Sequence, residues 1–287
     1  MRRRGLAGFT LVELVVAIVI MGIMALGTVS YITTSSQSYQ RAASGDRLGS
    51  SARLLVERLA RELRSALPNS VRTSTDGTCI EFVPLAAAGT YLTLAQGTAT
   101  SMAVIPLFEE PTVNTSAARV SVYPDSSSSV YGLSAVSPTL SSALSDLAIS
   151  GSNPATAASA ATLQFSVAPD FPTDSPQRRW VVISEPVSFC LHGDGRLYRY
   201  QGDGSSYTYR TTQWNPPPLS TPAAGRWLVA NKVFGPAACG GGGNTQAFRI
   251  AEPTLQRNAV ALLDLCLQDN QGGSMQLVHE VQLRNVP

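Results

Sequence analysis

The sequence has few charged residues, and positive and negative charges nearly balance. Charged residues make up 14% of the 287, with 21 Lys and Arg against 19 Asp and Glu. That share is well below the usual quarter, and the net charge of +2 does not indicate a duplex-binding protein. Hydrophobic residues reach 44%, which is enough to bury a core and excludes wholesale disorder. The length fits one or two domains, with a surface rich in Ser, Thr, Ala, Gly and Asn.

Motifs of catalysis and metal binding are missing from the sequence. There are two histidines, His192 and His279, and no CxxC pair, P-loop, G-x-S-x-G, H-E-x-x-H or dinucleotide fingerprint. Gly240–Gly243 lacks the lysine of a phosphate loop and indicates a flexible loop. Asp194 and Asp203 lie in HGDG and QGDG, where turn chemistry explains them; a calcium site is the alternative. We therefore expect no enzyme, no cofactor and no metal.

The four cysteines, Cys79, Cys190, Cys239 and Cys266, are spread along the chain. An even number in an exported protein indicates two disulfides, and the alternative is four buried thiols. Three pairings are open. The pairing that we favour joins two predicted β segments through Cys79 and Cys190. It also closes a loop of about 26 residues between Cys239 and Cys266.

The N-terminal region predicts a membrane helix. From Phe9 to Ile32 the chain has no Arg, Lys or Asp and a single Glu, a length that spans a bilayer. The apolar run is too long for an ordinary signal sequence, and no A-x-A cleavage site follows it. Three arginines precede the span, so the positive-inside rule places residues 1–8 in the cytoplasm and residues 33–287 outside it.

Glu13 is the anomaly of this span. A carboxylate in a membrane helix costs about 2.5 kcal/mol or more, which makes it a functional candidate. The alternative is a glutamate close enough to the interface for its carboxylate to reach water. Gly8-Phe9, four residues before Glu13, has the form of a processing junction. A cut there would create an α-amino cation that Glu13 of the same or a neighbouring subunit would neutralise.

Gly8–Leu14, with the sequence GFTLVEL, resembles the motif shared by type IV prepilins and type II secretion pseudopilins. A short basic leader, Gly before the cut, Phe after it and Glu as the fifth mature residue are all present. The resemblance implies that a prepilin peptidase cleaves after Gly8 and that Phe9 is N-methylated. It further implies that Glu13 pairs with the N-terminus of a neighbouring subunit during assembly.

The helical pattern continues beyond the membrane span. An apolar stripe and opposing i,i+4 charge pairs predict an amphipathic helix over residues 33–67 that ends at Pro68-Asn69. Four glycines predict a bend or fraying around residues 27–49. The stripe comprises Leu48, Ala52, Leu55, Leu59, Leu63 and Ala66.

Short runs of period two follow from residue 68 to residue 287 and predict a β-rich head with antiparallel strands. Residues 132–162 are Ser- and Ala-rich and indicate a long surface insertion. The predicted fold class is α+β, a long helix packed on this head. The predicted strands are Cys79–Val83, Tyr91–Ala95, Arg119–Tyr123, Leu163–Val167, Trp180–Ser184, Val187–Leu191, Leu197–Tyr200, Trp227–Phe234, Phe248–Ala251, Ala259–Cys266 and Met275–Leu283.

Short segments of the head resemble minor pilins of the mannose-sensitive haemagglutinin (MSHA) type IV pilus system. The general plan is similar to the J-type pseudopilins of type II secretion, and in related pseudopilin systems the extreme tip subunit lacks the glutamate. The segments are Ala66–Arg72, Cys79–Pro84, Val122–Pro124, Pro186–Cys190, Arg196–Tyr200, His279–Val281 and Arg284–Pro287.

The resemblance implies a minor pilin that acts in filament assembly near the tip. The expected partners are the prepilin peptidase, other minor pilins, the major pilin, the inner-membrane assembly platform and membrane lipid. The expected location is a single pass of the inner membrane with a periplasmic head, and the pilus after assembly. Alternatives are a J-type pseudopilin and a tip adhesin or DNA-binding subunit.

The DNA-binding alternative depends on a tyrosine- and arginine-rich region of the head. The competing interpretation is a hairpin with cross-strand tyrosine pairs, so no nucleic acid is expected. The residues concerned are Leu197–Tyr200, Tyr207, Tyr209, Arg210 and Trp214.

Overall fold

One long N-terminal helix leads into a head of antiparallel sheets. The α+β prediction is therefore confirmed. The computed structural model describes residues 10–107, 118–124, 130–131, 161–165, 167–169, 171, 174–201, 226–240, 245–251 and 259–283.

Helix α1 (Leu11–Arg64) is continuous over 54 residues, about 81 Å at ~1.5 Å per residue. The predicted fraying around residues 27–49 is wrong, because every residue there is helical. The helix ends at the C-cap residue Ser65, whose backbone N–H donates to the carbonyl of Glu62 at 3.1 Å, while Ala66 N–H donates to that of Leu63 at 3.2 Å. It stops short of Pro68 because Leu67 N–H already donates to the carbonyl of Val83 at 2.8 Å.

The two halves of α1 have different surroundings. The apolar first half is exposed, whereas the second half buries Ala52, Leu55, Leu59, Ala60 and Leu63 against the head. Ala52, Leu55, Leu59 and Leu63 recur every three or four positions, as the predicted stripe requires, and Ala60 widens the same buried face.

Most described strands of the head are short, as the turn-rich sequence predicts, and the two longest have nine residues each. They are β1 (Arg72–Thr73), β2 (Cys79–Phe82), β3 (Leu85–Thr90), β4 (Ser101–Val104), β5 (Arg119–Ser121), β6 (Ala161–Gln164), β7 (Arg179–Ile183), β8 (Val187–Leu191), β9 (Arg196–Gln201), β10 (Arg226–Asn231), β11 (Val233–Phe234), β12 (Phe248–Ala251), β13 (Val260–Gln268) and β14 (Ser274–Gln282). A 3₁₀ turn spans Pro236–Cys239.

Two sheets pack on the second half of α1. One has the order β1-β2-β8-β9-β10, and in the other β13 pairs with β14, β11 and β12. Side chains from both sheets and from the helix form one core, including Leu59, Phe189 and Leu263. Alternation along the strands places the apolar set on the helix side.

Polar contacts join the helix to both sheets. The Arg199 guanidinium of β9 donates to the Glu62 carboxylate at 2.8 Å, and Glu62 also lies 3.5 Å from Arg58. The Ser44 hydroxyl donates to the Asp269 carboxylate in the β13–β14 turn. Asp269 also accepts from the backbone N–H of Gly273 at 2.6 Å. The helix is thus held to the head by polar contacts as well as by apolar packing.

A second core lies away from the helix. The sheet β3-β7-β5 and the pair β4-β6 surround the buried residues Trp180, Tyr91 and Met102. β3 and β4 were not among the predicted strands; the sequence of β3, Leu85–Thr90, is a run of small residues without alternation. The predicted strand Tyr91–Ala95 is wrong: Tyr91 forms only an isolated bridge with Val104.

Several other boundaries differ from the predictions. The predicted strand Trp227–Phe234 is two strands, divided at Lys232, which has a φ of 55°. Ala161 and Thr162, the last two residues of the predicted insertion 132–162, lie in β6. The rest of the insertion lies outside the described residues.

Candidate functional site in the N-terminal helix

The first half of α1 has an apolar surface on which no described part of the head packs. Its large apolar side chains between Leu11 and Ile32 expose from 45% (Val15) to 78% (Leu11) of their surface. By length and composition, α1 is long and apolar enough to cross a membrane. An exposed apolar surface of this extent indicates a contact site for lipid or for other helices.

Hydroxyl groups in this half bond within the helix. Thr28 donates to the carbonyl of Met24 at 2.8 Å, and Thr33 donates to that of Ser30 at 2.9 Å. These two hydroxyls are satisfied without water, which suits a helix in an apolar medium.

The helix begins with a cap that involves the candidate glutamate. Thr10 is the N-cap residue, and its hydroxyl oxygen accepts from the backbone N–H of Glu13 at 3.3 Å. The same hydroxyl lies 3.5 Å from a Glu13 carboxylate oxygen. Thr10-Leu11-Val12-Glu13 thus has the T-x-x-E spacing of a capping box, with the bond from the Glu13 N–H to the Thr10 hydroxyl in place. This role of Thr10 was not predicted, although the T-x-x-E spacing is a local signal for it.

Glu13 carries the charge of this surface. It is the single charged residue between Thr10 and Arg41, and it is exposed in the first turn. Within the described part of the chain, no cation forms an ion pair with it. The positive end of the helix dipole favours a carboxylate at this position, by about 0.3–1 kcal/mol in exposed helices. Glu13 therefore places a single carboxylate on the exposed apolar half of α1.

The predicted processing residues are adjacent to this cap. Gly8 and Phe9 lie outside the described residues, which begin at Thr10. Phe9 immediately precedes the N-cap in the chain, and Glu13 is the fourth residue after Phe9.

The cysteines lie in the head, far along the chain from this surface. Cys79 of β2 is bonded to Cys190, directly opposite in β8, with their Cα atoms 4.2 Å apart. Cys239 of the 3₁₀ turn is bonded to Cys266 of β13, with a Cα separation of 5.6 Å. Within the described part of the chain there is no free cysteine.

The tyrosine segment of β9 packs on the first of these disulfides. Tyr198 and Tyr200 form a buried cluster with Cys79 and Cys190. His192 Nε2 lies 2.7 Å from the Tyr200 hydroxyl, and burial lowers the pKa of His192 below its usual 6.5. These tyrosines are 9% and 5% exposed, so they do not form an open stacking platform. Tyr207, Tyr209, Arg210 and Trp214 lie outside the described residues.

The HGDG segment, His192–Gly195, forms the turn between β8 and β9, as its turn chemistry predicts. His192 N–H donates to the carbonyl of Arg196, and Gly195 N–H to that of His192. Asp194 accepts from Arg196 N–H at 3.1 Å, as turn chemistry requires. Gly195 has a φ of 78°, and a Cβ there would strike the ring of Phe234. Asp203, the other turn aspartate, lies outside the described residues.

Comparison with known families finds one match, at the N-terminus. Residues 3–29 match the prokaryotic N-terminal methylation motif. Neither curated proteins nor solved structures gave a match to the chain. The motif indicates a type IV pilin-like protein, of a structural rather than an enzymatic kind. It implies processing by a prepilin peptidase, assembly with pilins and, with the apolar helix, membrane anchoring.

Proposed function

We propose that the protein is a minor subunit of an MSHA-type type IV pilus, similar to the minor pilin MshO, and that it acts in filament initiation and assembly near the tip. One observation carries this proposal: the exposed apolar half of α1 bears a single carboxylate, in its first turn, within a segment that matches the methylation motif. A surface of this kind stores the subunit in the membrane and later packs it among like helices.

Processing comes first in the proposed sequence of events. A prepilin peptidase removes residues 1–8 by cleavage after Gly8 and methylates the new N-terminus at Phe9. Mass spectrometry of the protein from peptidase-positive cells should show an N-methylated Phe9. An intact Met1 terminus in those cells would contradict this step.

The charge of Glu13 then directs docking. A mature N-terminus at Phe9 carries an α-amino cation into an apolar medium, where an uncompensated charge is expensive. The nearest carboxylate along its own chain is Glu13, whose backbone N–H is committed to the Thr10 cap but whose side chain projects from an exposed position. A neighbouring subunit's N-terminus that reaches Glu13 therefore gains an ion pair and fixes the axial position of one helix against the other.

The disulfides support a head outside the cytoplasm. Structural disulfides persist in oxidising compartments such as the periplasm, and this head has two of them, Cys79–Cys190 and Cys239–Cys266. The proposed location is a single pass of the inner membrane with a periplasmic head before assembly, and the pilus afterwards.

The size of the head argues for few copies. More than 200 residues follow α1, and repeating such a head along a thin filament would produce clashes. Because Glu13 is retained, we place the subunit just beneath the extreme tip subunit. Its partners there are other minor pilins, then the major pilin and the inner-membrane assembly platform.

Two matched variants test the role of the charge. Glu13→Gln removes the negative charge and keeps the backbone N–H that bonds to Thr10, whereas Thr10→Ala removes the cap and keeps the charge. We expect Glu13→Gln to leave insertion and cleavage intact and to lower the number of filaments per cell several-fold. Thr10→Ala should cost about 1 kcal/mol of local helix stability and change filament number much less. Equal filament numbers in the wild type and Glu13→Gln strains would contradict the proposal, as would labelling of this protein all along the shaft.

The J-type pseudopilin of a type II secretion system remains the first alternative. It would share the N-terminal motif and the general plan, so deletion strains must distinguish them. Loss of surface pili with normal exoprotein secretion favours the pilus, and the reverse favours the secretion system. The adhesin or DNA-binding alternative is tested by glycan and DNA binding to the full-length protein in detergent.

A further inference from the structure

A cleft of about 400 Å³ lies where the far end of α1 meets the second core. Its walls come from the chain after the helix, including Leu67, from the start of β3, and from β5 and β7. Backbone bonds fix this junction: Leu67 N–H donates to Val83, and Leu85 N–H donates to Ser65. The volume falls within the range of about 300–1,000 Å³ typical of small-molecule sites, which favour junctions of this kind.

One buried polar group in the cleft has no partner. Ser121 of β5 lines the cleft and is 1% exposed, and its hydroxyl forms no hydrogen bond within the described part of the chain. A buried hydroxyl without a partner costs about 1–3 kcal/mol, so such groups are rare in folded proteins. A ligand atom that bonds to this hydroxyl would remove that cost.

The charged residues that line the cleft are cations. Arg64 and Arg179 contribute exposed side chains to it, and no aspartate or glutamate is among the described residues that line it. In the described part of the chain neither guanidinium forms an ion pair. The carboxyl end of α1 contributes roughly half a negative charge, which two full positive charges outweigh. The remaining lining is largely apolar, with Leu85 and Val181 among its members.

We propose that this cleft is a binding site for a carboxylate carried on an apolar body. Planar guanidinium groups match the geometry of a carboxylate, the apolar walls suit a hydrocarbon or aromatic body, and the Ser121 hydroxyl supplies a further hydrogen bond. Two sources have this chemistry: a free organic acid, and the carboxyl end of a polypeptide whose last residue is apolar. The site lies at the opposite end of α1 from Glu13 and does not depend on the proposed assembly role.

Titration calorimetry on the full-length protein in detergent tests the chemistry of the ligand. The probes are 4-phenylbutyrate and its uncharged analogue 4-phenylbutanol, together with a short peptide that ends in leucine, with a free or an amidated carboxyl end. We expect the two carboxylates to bind and the alcohol and the amide to bind at least about five-fold more weakly. Tighter binding of the free-ended peptide identifies a chain end as the source, and tighter binding of phenylbutyrate identifies a free acid.

Variants then locate the site. Arg64→Gln and Arg179→Gln should each weaken binding by roughly three- to ten-fold, while Arg178→Gln, an exposed neighbour outside the cleft lining, should not. Ser121→Ala should weaken binding about five-fold while leaving the thermal midpoint of unfolding unchanged or higher, since it deletes an unsatisfied group. Equal binding of acid and alcohol, binding that ignores Arg64 and Arg179, or no binding up to millimolar concentrations would each overturn the proposal.

Discussion

The two disulfides should differ measurably in what they contribute to stability. The sequence separations are 111 residues for Cys79–Cys190 and 27 for Cys239–Cys266. In the chain-entropy model these loops contribute about 4.8 and about 3.6 kcal/mol at 25 °C, a difference of about 1.2 kcal/mol. The loops do not overlap along the chain, so removing one bond leaves the constraint of the other unchanged.

The surroundings of the two bonds should widen this difference. Cys79 and Cys190 are both buried and pack against Tyr198 and Tyr200, so alanines there also leave a small cavity. Cys239 is only half-buried in its 3₁₀ turn. We therefore expect the double variant Cys79→Ala with Cys190→Ala to lose more unfolding free energy than Cys239→Ala with Cys266→Ala.

The assay is urea unfolding of the full-length protein in detergent, followed by tryptophan fluorescence. Trp180 is completely buried in the second core and reports its opening. The free energy of unfolding of each double variant is compared with that of the wild type. The wild type under reducing conditions gives the loss of unfolding free energy when both disulfides are absent. The reasoning fails if the Cys239 and Cys266 variant is destabilised as much as, or more than, the Cys79 and Cys190 variant.

Three further predictions concern the join between helix and head and its surroundings. Leu59 is 0% exposed, so Leu59→Ala should lower the free energy of unfolding by about 2–5 kcal/mol. Leu54 is 68% exposed, and Leu54→Ala should change that free energy by less than about 0.5 kcal/mol. Equal effects of the two variants would mean that the apolar stripe of α1 does not form the core. Arg199→Gln should lower the free energy of unfolding of the protein by about 1 kcal/mol, because it leaves the half-buried Glu62 carboxylate with only its longer contact to Arg58. Arg58→Gln should lower that free energy by less in the same urea titration. Burial lowers the pKa of His192 in the folded protein; Arg226 adds to this shift and Asp194 opposes it. The unfolded chain therefore binds a proton at His192 more readily than the folded protein. The free energy of unfolding should be constant above about pH 6.5 with respect to this group and should decrease as the pH falls below that value. His192→Gln should flatten this part of the pH profile, and an unchanged profile would refute the assignment.

Local pattern was sufficient for much of this protein. Apolar continuity from Phe9 to Ile32 predicts a spanning helix because hydrophobicity and length are properties of the segment itself. The stripe that includes Leu55, Leu59 and Leu63 predicts the buried face because helical periodicity fixes which side chains share it. Phe248–Ala251 and the hairpin at His192–Gly195 were also predictable, since alternation and turn residues are local signals. The T-x-x-E spacing of Thr10 and Glu13 is an equally local signal, although the N-cap was not among the predicted features.

Other features depended on residues that meet only in the folded chain. Leu85–Thr90 is a strand because it pairs antiparallel with β7, although its side chains do not alternate between apolar and polar. Arg199 faces the helix because its position in β9 places it opposite Glu62 of α1, 137 residues earlier. The cleft combines Arg64 from the helix, Ser121 from β5 and Arg179 from β7, and no spacing along the sequence relates them. Sequence alone determined the helix, its motif and much of the strand pattern; only tertiary structure decided the partners of each strand and the site at the end of α1, because those depend on contacts between distant segments.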